Sequence, residues 1–307
     1  MISDMKAKRP FFSLLRLYLL LTGLVLVQVL NLQQADAGAL ERLFAPKADP
    51  WPFWDRSGES TGIDHASWQR FLLAHVQSGD DGINRVAYAQ VPAAEHSALR
   101  DYIKSLERIE IRGYRRDEQL AYWINLYNAA TVSVVLEHYP VSSIRDIDIS
   151  PGFLSFGPWG KKLLRIEGQE ISLNDIEHRI LRPLWHEPRL HYALNCASLG
   201  CPNLLRDAYT PDNTQSLFDR AAREYINHPR GVEIVEGELH VSSIYSWFRE
   251  DFGSSEADVI KHLRIYAQPA LAAELAGFSS IDDDHYDWAL NDTTPVEAAP
   301  VTEDDFE

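Results

Sequence analysis

Residues 118–139 read EQLAYWINLYNAATVSVVLEHY, from Glu118 to Tyr139. No other stretch beyond the N-terminal segment is as apolar, and it reads as one long buried helix. The β-branched run Thr131-Val132-Ser133-Val134-Val135 works against helix propensity, and Pro140 stops the helix. Upstream, Asp64 can cap a helix on which Trp68, Phe71, Leu72 and Val76 recur at helical spacing. Asp80-Asp81-Gly82 marks a turn, Val86 to Val91 a short strand, and Leu99, Tyr102, Ile103 and Leu106 a second amphipathic helix.

Downstream, residues 142–159 are loop-rich and residues 162–171 resemble a hairpin turning at Gly168-Gln169. Ser172 with Asp175 is capping-box-like and opens a helix to about Leu181. Leu190 to Asn195 alternates like a strand, and Leu217 to Ile226 reads as helix. Val232–Val235 and Glu238–Val241 flank Glu236-Gly237, a hairpin signal. Helices are expected over 246–251 and 257–267, with one more opening at Pro269 and ending before Gly277. No repeat or nucleotide-binding glycine loop is present. Helix-heavy, with short strands out of βαβ order, the pattern predicts α+β: a single helix-rich domain with short antiparallel strands.

The N-terminus has the parts of an export signal. Lys6, Lys8, Arg9 and Arg16 precede an uncharged, Leu- and Val-rich run from Leu17 to Val27, and Ala35-Asp36-Ala37 offers a small-x-small cleavage site. Gln28, Asn31, Gln33 and Gln34 in the second half of the segment speak against a retained anchor. The expected organisation is a signal peptide over 1–37, a linker over 38–50, one domain over 51–290 and an acidic disordered tail over 291–307. The expected location is periplasmic or extracellular, with membrane contact only if the segment stays uncleaved. The whole chain carries a net charge of −16. The expected leader has four basic and two acidic residues, so removing it takes the charge to −18. Such a balance disfavours nucleic acid and anionic membrane surfaces as main partners. Ile281 to Glu307 holds ten of the acids and no Lys or Arg.

Chemistry concentrates in Arg189 to Pro202, RLHYALNCASLGCP, which holds both cysteines of the chain. In one reading Cys196 and Cys201 form a disulfide, which export favours and which Gly200 helps to close. In a second, Cys196 is a nucleophile with His191 or His178 as base. His191 lies five residues before Cys196. That puts it on the opposite face of a strand, or about 140° away around a helix. A third reading, a metal held by the cysteines with His191 or His178, lacks the Cys-x-x-Cys spacing of zinc sites, and no metal is assigned. Asn125 and Asn128, three apart, share a face of the apolar helix. Either they pin neighbouring loops or one orients a catalytic His or a substrate. The aromatic clusters Tyr245 to Phe252 and Tyr286 to Asn291 read as core.

Several motifs occur together in order: Ala121 to Ala129, Tyr139 to Ile144, Ser172 to His178, His191 to Pro202, Trp247 to Phe252, and Tyr286 to Asn291. Together they resemble the domain-of-unknown-function family 547 over Trp68 to Asn291. The resemblance implies that Asn125, His178, His191, Cys196 and Cys201 are family-pattern positions. Glu177-His178 with His191 and Cys196 is similar to papain-like and transglutaminase-like thiol enzymes. Two functions are expected from this. One is thiol-dependent acyl transfer or amide hydrolysis on peptide-like material, with Cys196 attacking, His178 or His191 as base, and Asn125, Asn128 and Glu177 binding or orienting. The other is a non-catalytic binding or scaffold protein held by a Cys196–Cys201 disulfide. An unidentified small-molecule or peptide-like ligand is the expected partner, and no cofactor motif is visible.

Overall fold

Helix α3, Arg116–His138, runs 23 residues and is buried at every position from Glu118 to Val135. In a computed structural model, which describes residues 45–152 and 157–294, the rest of the chain is built around it. Its β-branched residues remain helical because packing on all sides outweighs the few tenths of a kcal/mol that each costs in propensity. Asp117 and Glu118 sit in its first turn, where the helix dipole favours acids.

Helices α1, Ala66–His75, and α2, Ala93–Glu107, precede α3, and α2 packs directly on it. Strands β1, Val76–Ser78, and β2, Asn84–Val86, form an antiparallel pair. Of the strand expected over Val86–Val91 only Val86 is paired, and Tyr88–Gln90 form a 3₁₀ turn. Strands β3, Leu164–Ile166, and β4, Gln169–Ile171, make the expected hairpin, with Glu167 and Gly168 at positive φ in its turn. Ser172 and Asp175 cap the next helix reciprocally: Ser172 N–H donates to Asp175 Oδ2 at 2.8 Å, and Asp175 N–H to Ser172 Oγ at 3.2 Å. The turns over Asp175–Leu181 are widened to π-helix before α4, Arg182–Trp185. Such widening recurs where helices present functional side chains.

Leu190 to Asn195 is not a strand. It forms a short helical turn, α5, Leu190–Ala193. All six residues are buried, so their alternation marked no exposed face. After α6, Thr214–Ile226, strands β5, Val232–Val235, and β6, Glu238–Ser242, pair antiparallel. Strand β7, Asp283–His285, adds parallel to β6, a pairing that the sequence did not signal. The helix expected over 246–251 is two short turns, α7, Ile244–Trp247, and α8, Arg249–Phe252. Helices α9, Glu256–Tyr266, and α10, Pro269–Leu275, complete a helix-rich α+β domain, and the described residues from Pro46 to Thr294 form one compact unit. Among the described residues no helix is long and apolar enough to cross a membrane.

The expected signal peptide lies outside the described residues, as do linker positions 38–44 and tail positions 295–307. The remaining linker and tail residues are tied down. Asp49 N–H and Trp51 N–H donate to His178 O and Arg179 O at 2.9 and 3.0 Å. Asn291 and Asp292 are buried, and Asp292 accepts from Tyr139 Oη at 2.8 Å.

Candidate functional site

The cysteines sit on a turn that α3 positions. Asn128 Nδ2–H donates to Ala193 O at 2.9 Å, and Asn128 Oδ1 accepts from Asn195 N–H at 2.8 Å. Asn195 in turn accepts from Ala197 N–H and donates to Pro202 O. Ala197 is left-handed, at φ 60°, which reverses the chain and costs an alanine about 1 kcal/mol. Asn125 makes the same two-bond clasp on Tyr209, at 2.7 and 2.9 Å. The helix face shared by the two amides therefore holds two loops by their backbones.

The reversal brings the two free cysteine sulfurs to 2.9 Å from each other. Cys196 Sγ also meets Tyr286 Oη at 2.9 Å and Ser198 Oγ at 3.3 Å. Cys196 N–H points at Cys201 Sγ at 2.9 Å. The two thiols are unlike. Burial works to raise Cys196, but hydrogen bonds from Cys201, Ser198 and Tyr286 outweigh it and hold that thiol below its ordinary value. Burial and the neighbouring Cys196 push Cys201 well up. Cys201 is buried and Cys196 partly exposed.

Neither His178 nor His191 is among the hydrogen-bond partners of Cys196. Both belong to a separate buried ionic cluster. His191 Nε2 meets Asp251 Oδ2 at 2.6 Å, and its Nδ1 faces Glu177 Oε1 at 3.9 Å. Its ring stacks on Phe248 at 4.6 Å. Arg182 Nε donates to the same Asp251 oxygen at 2.5 Å, and Arg182 Nη1 donates to Pro46 O and to His178 Nδ1. Burial acts to raise Asp251, yet His191 and Arg182 draw it down to about 2. Burial lowers His178 to about 4, aided by Arg182 and His191. Glu177 joins the two groups of residues. Its Oε2 accepts from Tyr127 Oη at 3.0 Å, its Oε1 faces both imidazoles, and its charge acts on Cys196. Among the described residues no group of three or more His, Cys, Asp or Glu side chains is arranged to hold a metal ion.

The expected site residues therefore separate into three places: the thiol turn, the Glu177–His178–His191 cluster, and the two asparagine clasps. Asp251, Arg182, Ser198 and Tyr286 belong to these places and were not singled out. Asp251 and Tyr286 sit in the two aromatic stretches read as core, and the usable signal was a polar group embedded in each.

A C-terminal strap crosses the thiol turn. Leu199 N–H donates to Ala289 O and Gly200 N–H to Asp287 O, each at 2.8 Å, and Asn291 N–H donates to Ala197 O at 3.1 Å. A Cβ on Gly200 would lie 2.7 Å from Asp287 N and 2.9 Å from Asp287 O. Gly200→Ala is expected to push the strap off and to cost about 1–3 kcal/mol. Urea unfolding measures that loss, and thiol labelling should rise with it as Cys201 is uncovered.

No curated protein and no solved structure matches the chain. A family model matches residues 111–226, a span narrower than the motif resemblance. It holds both asparagines, Glu177, both histidines and both cysteines, but neither Asp251 nor Tyr286. Residues 111–226 are thus similar to the family described as "Protein of unknown function, DUF547".

Proposed function

We propose that the chain is an exported thiol protein in which Cys196 and Cys201 act as one reversible dithiol, exchanging with disulfides outside the cytoplasm. One observation carries this reading: two free sulfurs 2.9 Å apart, one partly exposed and within reach of two hydroxyls, the other buried behind it. A disulfide bond is about 2.05 Å long, so closure needs only a small movement. The Cys196 thiolate attacks a disulfide RSSR and expels RS⁻. Cys201 then gives up its proton, attacks the Cys196 sulfur and expels the second RS⁻. In sum, two protein thiols and RSSR give the internal disulfide and two RSH. The asymmetry suits those roles, because the lower thiol attacks first and the higher one waits for a mixed disulfide.

Oxidised glutathione tests this on the reduced protein. Both cysteines should become unreactive to iodoacetamide with no glutathione retained, and dithiothreitol should restore both. Cys201→Ser should instead keep one glutathione on Cys196. Glutathione retained on the wild type, or no reaction, would sink the proposal. A closed form that dithiothreitol cannot reopen would make the pair a structural staple.

A second reading is papain- or transglutaminase-like acyl transfer or amide hydrolysis by Cys196 on peptide-like material, with His191 or His178 as base. The His191–Asp251 contact at 2.6 Å favours it, since a base held by a carboxylate is the usual partner of a nucleophile. Cys201→Ser separates the two, because it leaves acyl transfer intact and abolishes closure. The dithiol reading is preferred because the sulfur touches Cys201 and neither imidazole.

A further inference from the structure

We infer that Tyr286 is a further catalytic residue of the thiol site: its phenol is the donor that holds the Cys196 sulfur as the attacking anion, delivered by the C-terminal strap. The inference rests on the thiol reading above. It lies outside the span matched by the family model and ninety positions beyond the cysteine in sequence.

Geometry carries it. Tyr286 Oη is 2.9 Å from Cys196 Sγ. Ser198 Oγ lies 3.0 Å from that phenol oxygen and 3.3 Å from the sulfur, so serine, phenol and sulfur form one cluster in which the phenol hydrogen can point at the sulfur. The ring is fixed on its other side by Trp247 and Trp288, at centroid distances of 4.8 and 4.6 Å. The backbone that carries it is also fixed. Strand β7 ends at His285, which accepts from Ser243 N–H at 3.0 Å, and the next residues lie across the thiol turn. Trp288 O accepts from Ser143 Oγ at 2.7 Å, and Leu290 N–H donates to Ser142 O at 2.9 Å. A phenol seated this way cannot swing off the sulfur without leaving its packing against the two tryptophans.

Proton bookkeeping agrees. Burial, with Cys196 and Cys201 close by, pushes the Tyr286 phenol well above its ordinary value of 10, so it keeps its proton while the thiol loses one. The groups that face Cys196 pull in two directions. Cys201, Ser198 and Tyr286 favour the anion, and the Glu177 carboxylate opposes it. A hydrogen bond to an anion counts for more than one between neutral groups. Loss of the phenol is therefore expected to move the Cys196 titration up by about one unit.

The test is the pH profile of iodoacetamide labelling, read on the full reduced chain carrying Cys201→Ser so that a single thiol reports. Adding Tyr286→Phe keeps the ring between the two tryptophans and removes only the donor. The midpoint should rise by about one unit, roughly a tenfold loss of thiolate below the midpoint. Trp288→Phe, which disturbs packing but no donor, should leave the midpoint in place. A ring-fluorinated tyrosine at position 286 is a stronger donor and should lower the midpoint. That third variant keeps the inference open to refutation even if Tyr286→Phe fails to fold. An unchanged midpoint in folded Tyr286→Phe, or a rise with the fluorinated ring, overturns it. The outcomes also separate the two claims. A Tyr286-dependent midpoint without closure by oxidised glutathione rejects the exchange reading and supports this one. Closure with an unchanged midpoint rejects only the role of Tyr286.

Discussion

Lowering the pH from 6.5 to 4 is expected to unfold the protein, and three buried histidines are the cause. His65, His178 and His262 are each buried, and burial lowers each from 6.5 to about 4. His65 Nδ1 meets Tyr102 Oη at 2.7 Å, but its Nε2 is buried without a partner. His178 receives a hydrogen bond from the Arg182 guanidinium, which opposes a second positive charge. His262 Nε2 meets Tyr192 Oη at 2.9 Å inside an aromatic cluster. In each case the fold favours the neutral ring. The unfolded chain therefore binds more protons between pH 4 and 6.5, and stability rises with pH across that window. The contribution is complete above 6.5 and is lost as pH falls towards 4. A shift of this size is about 3 kcal/mol for one group, so three approach 10 kcal/mol, against a whole-domain stability of about 5–15. Urea titrations at stepped pH should show stability falling by about 4 kcal/mol per unit near pH 5, with about three protons taken up on unfolding. His65→Gln should remove about one of those protons. A flat profile between pH 6.5 and 4 would show that these rings are charged in the fold. Asp251, held down to about 2, acts in a lower window: its contribution is present above its ordinary value near 3.8 and is lost only as pH falls towards 2.

The sequence was most legible where one local rule decided the outcome. The buried helix announced itself by apolar residues all round. The hairpin at Glu236-Gly237 did so by a glycine that accepts positive φ, whereas the first hairpin turns at Glu167-Gly168, one residue before the expected Gly168-Gln169. The Ser172–Asp175 cap did so by a side chain that can reach back to a free N–H. Legibility failed where the outcome depended on distant chain. Leu190 to Asn195 alternates in residue type, yet every position is buried, so its period carried no information about a solvent face. Strand β7 is three residues of Asp and His that pair with β6 across some forty positions, and nothing local marks it. The candidate site divides in the same way. The cysteine turn, the Glu177-His178 pair and the two asparagines were visible as unusual polar residues within apolar sequence. Which imidazole met which carboxylate was not visible, because Asp251 and Tyr286 reach the site only through tertiary folding. The expectation of His191 or His178 on the sulfur followed from their nearness in sequence. Folding instead gave His191 to Asp251 and gave the sulfur to Tyr286.

Replacing Asn128 by Ala should cost about 3–5 kcal/mol and release the thiol turn as well. The amide is buried and makes two bonds, donating to Ala193 O at 2.9 Å and accepting from Asn195 N–H at 2.8 Å. Truncation leaves a buried carbonyl and a buried N–H unpaired, each about 1–3 kcal/mol, and adds a small cavity. The freed N–H belongs to the residue before Cys196, so the loss falls on the backbone that places the sulfur. Asn128→Asp should fare little better, since a carboxylate oxygen would then face Ala193 O. Asn125→Ala is the matched control. It breaks an equal clasp on Tyr209, eight residues past Cys201 and outside the thiol turn, and should lose similar stability. Only Asn128→Ala should also change the chemistry, by slowing disulfide closure with oxidised glutathione, because Cys196 and Cys201 meet only while the turn after Ala193 is held. Urea unfolding measures the first effect and quenched iodoacetamide labelling the second. Equal slowing in both variants would mean that closure depends on general stability and that the amide of Asn128 has no particular hold on the thiol. A loss under 1 kcal/mol for Asn128→Ala would mean that water replaces both bonds, and the turn would then be set by the Asn195 side chain and the strap.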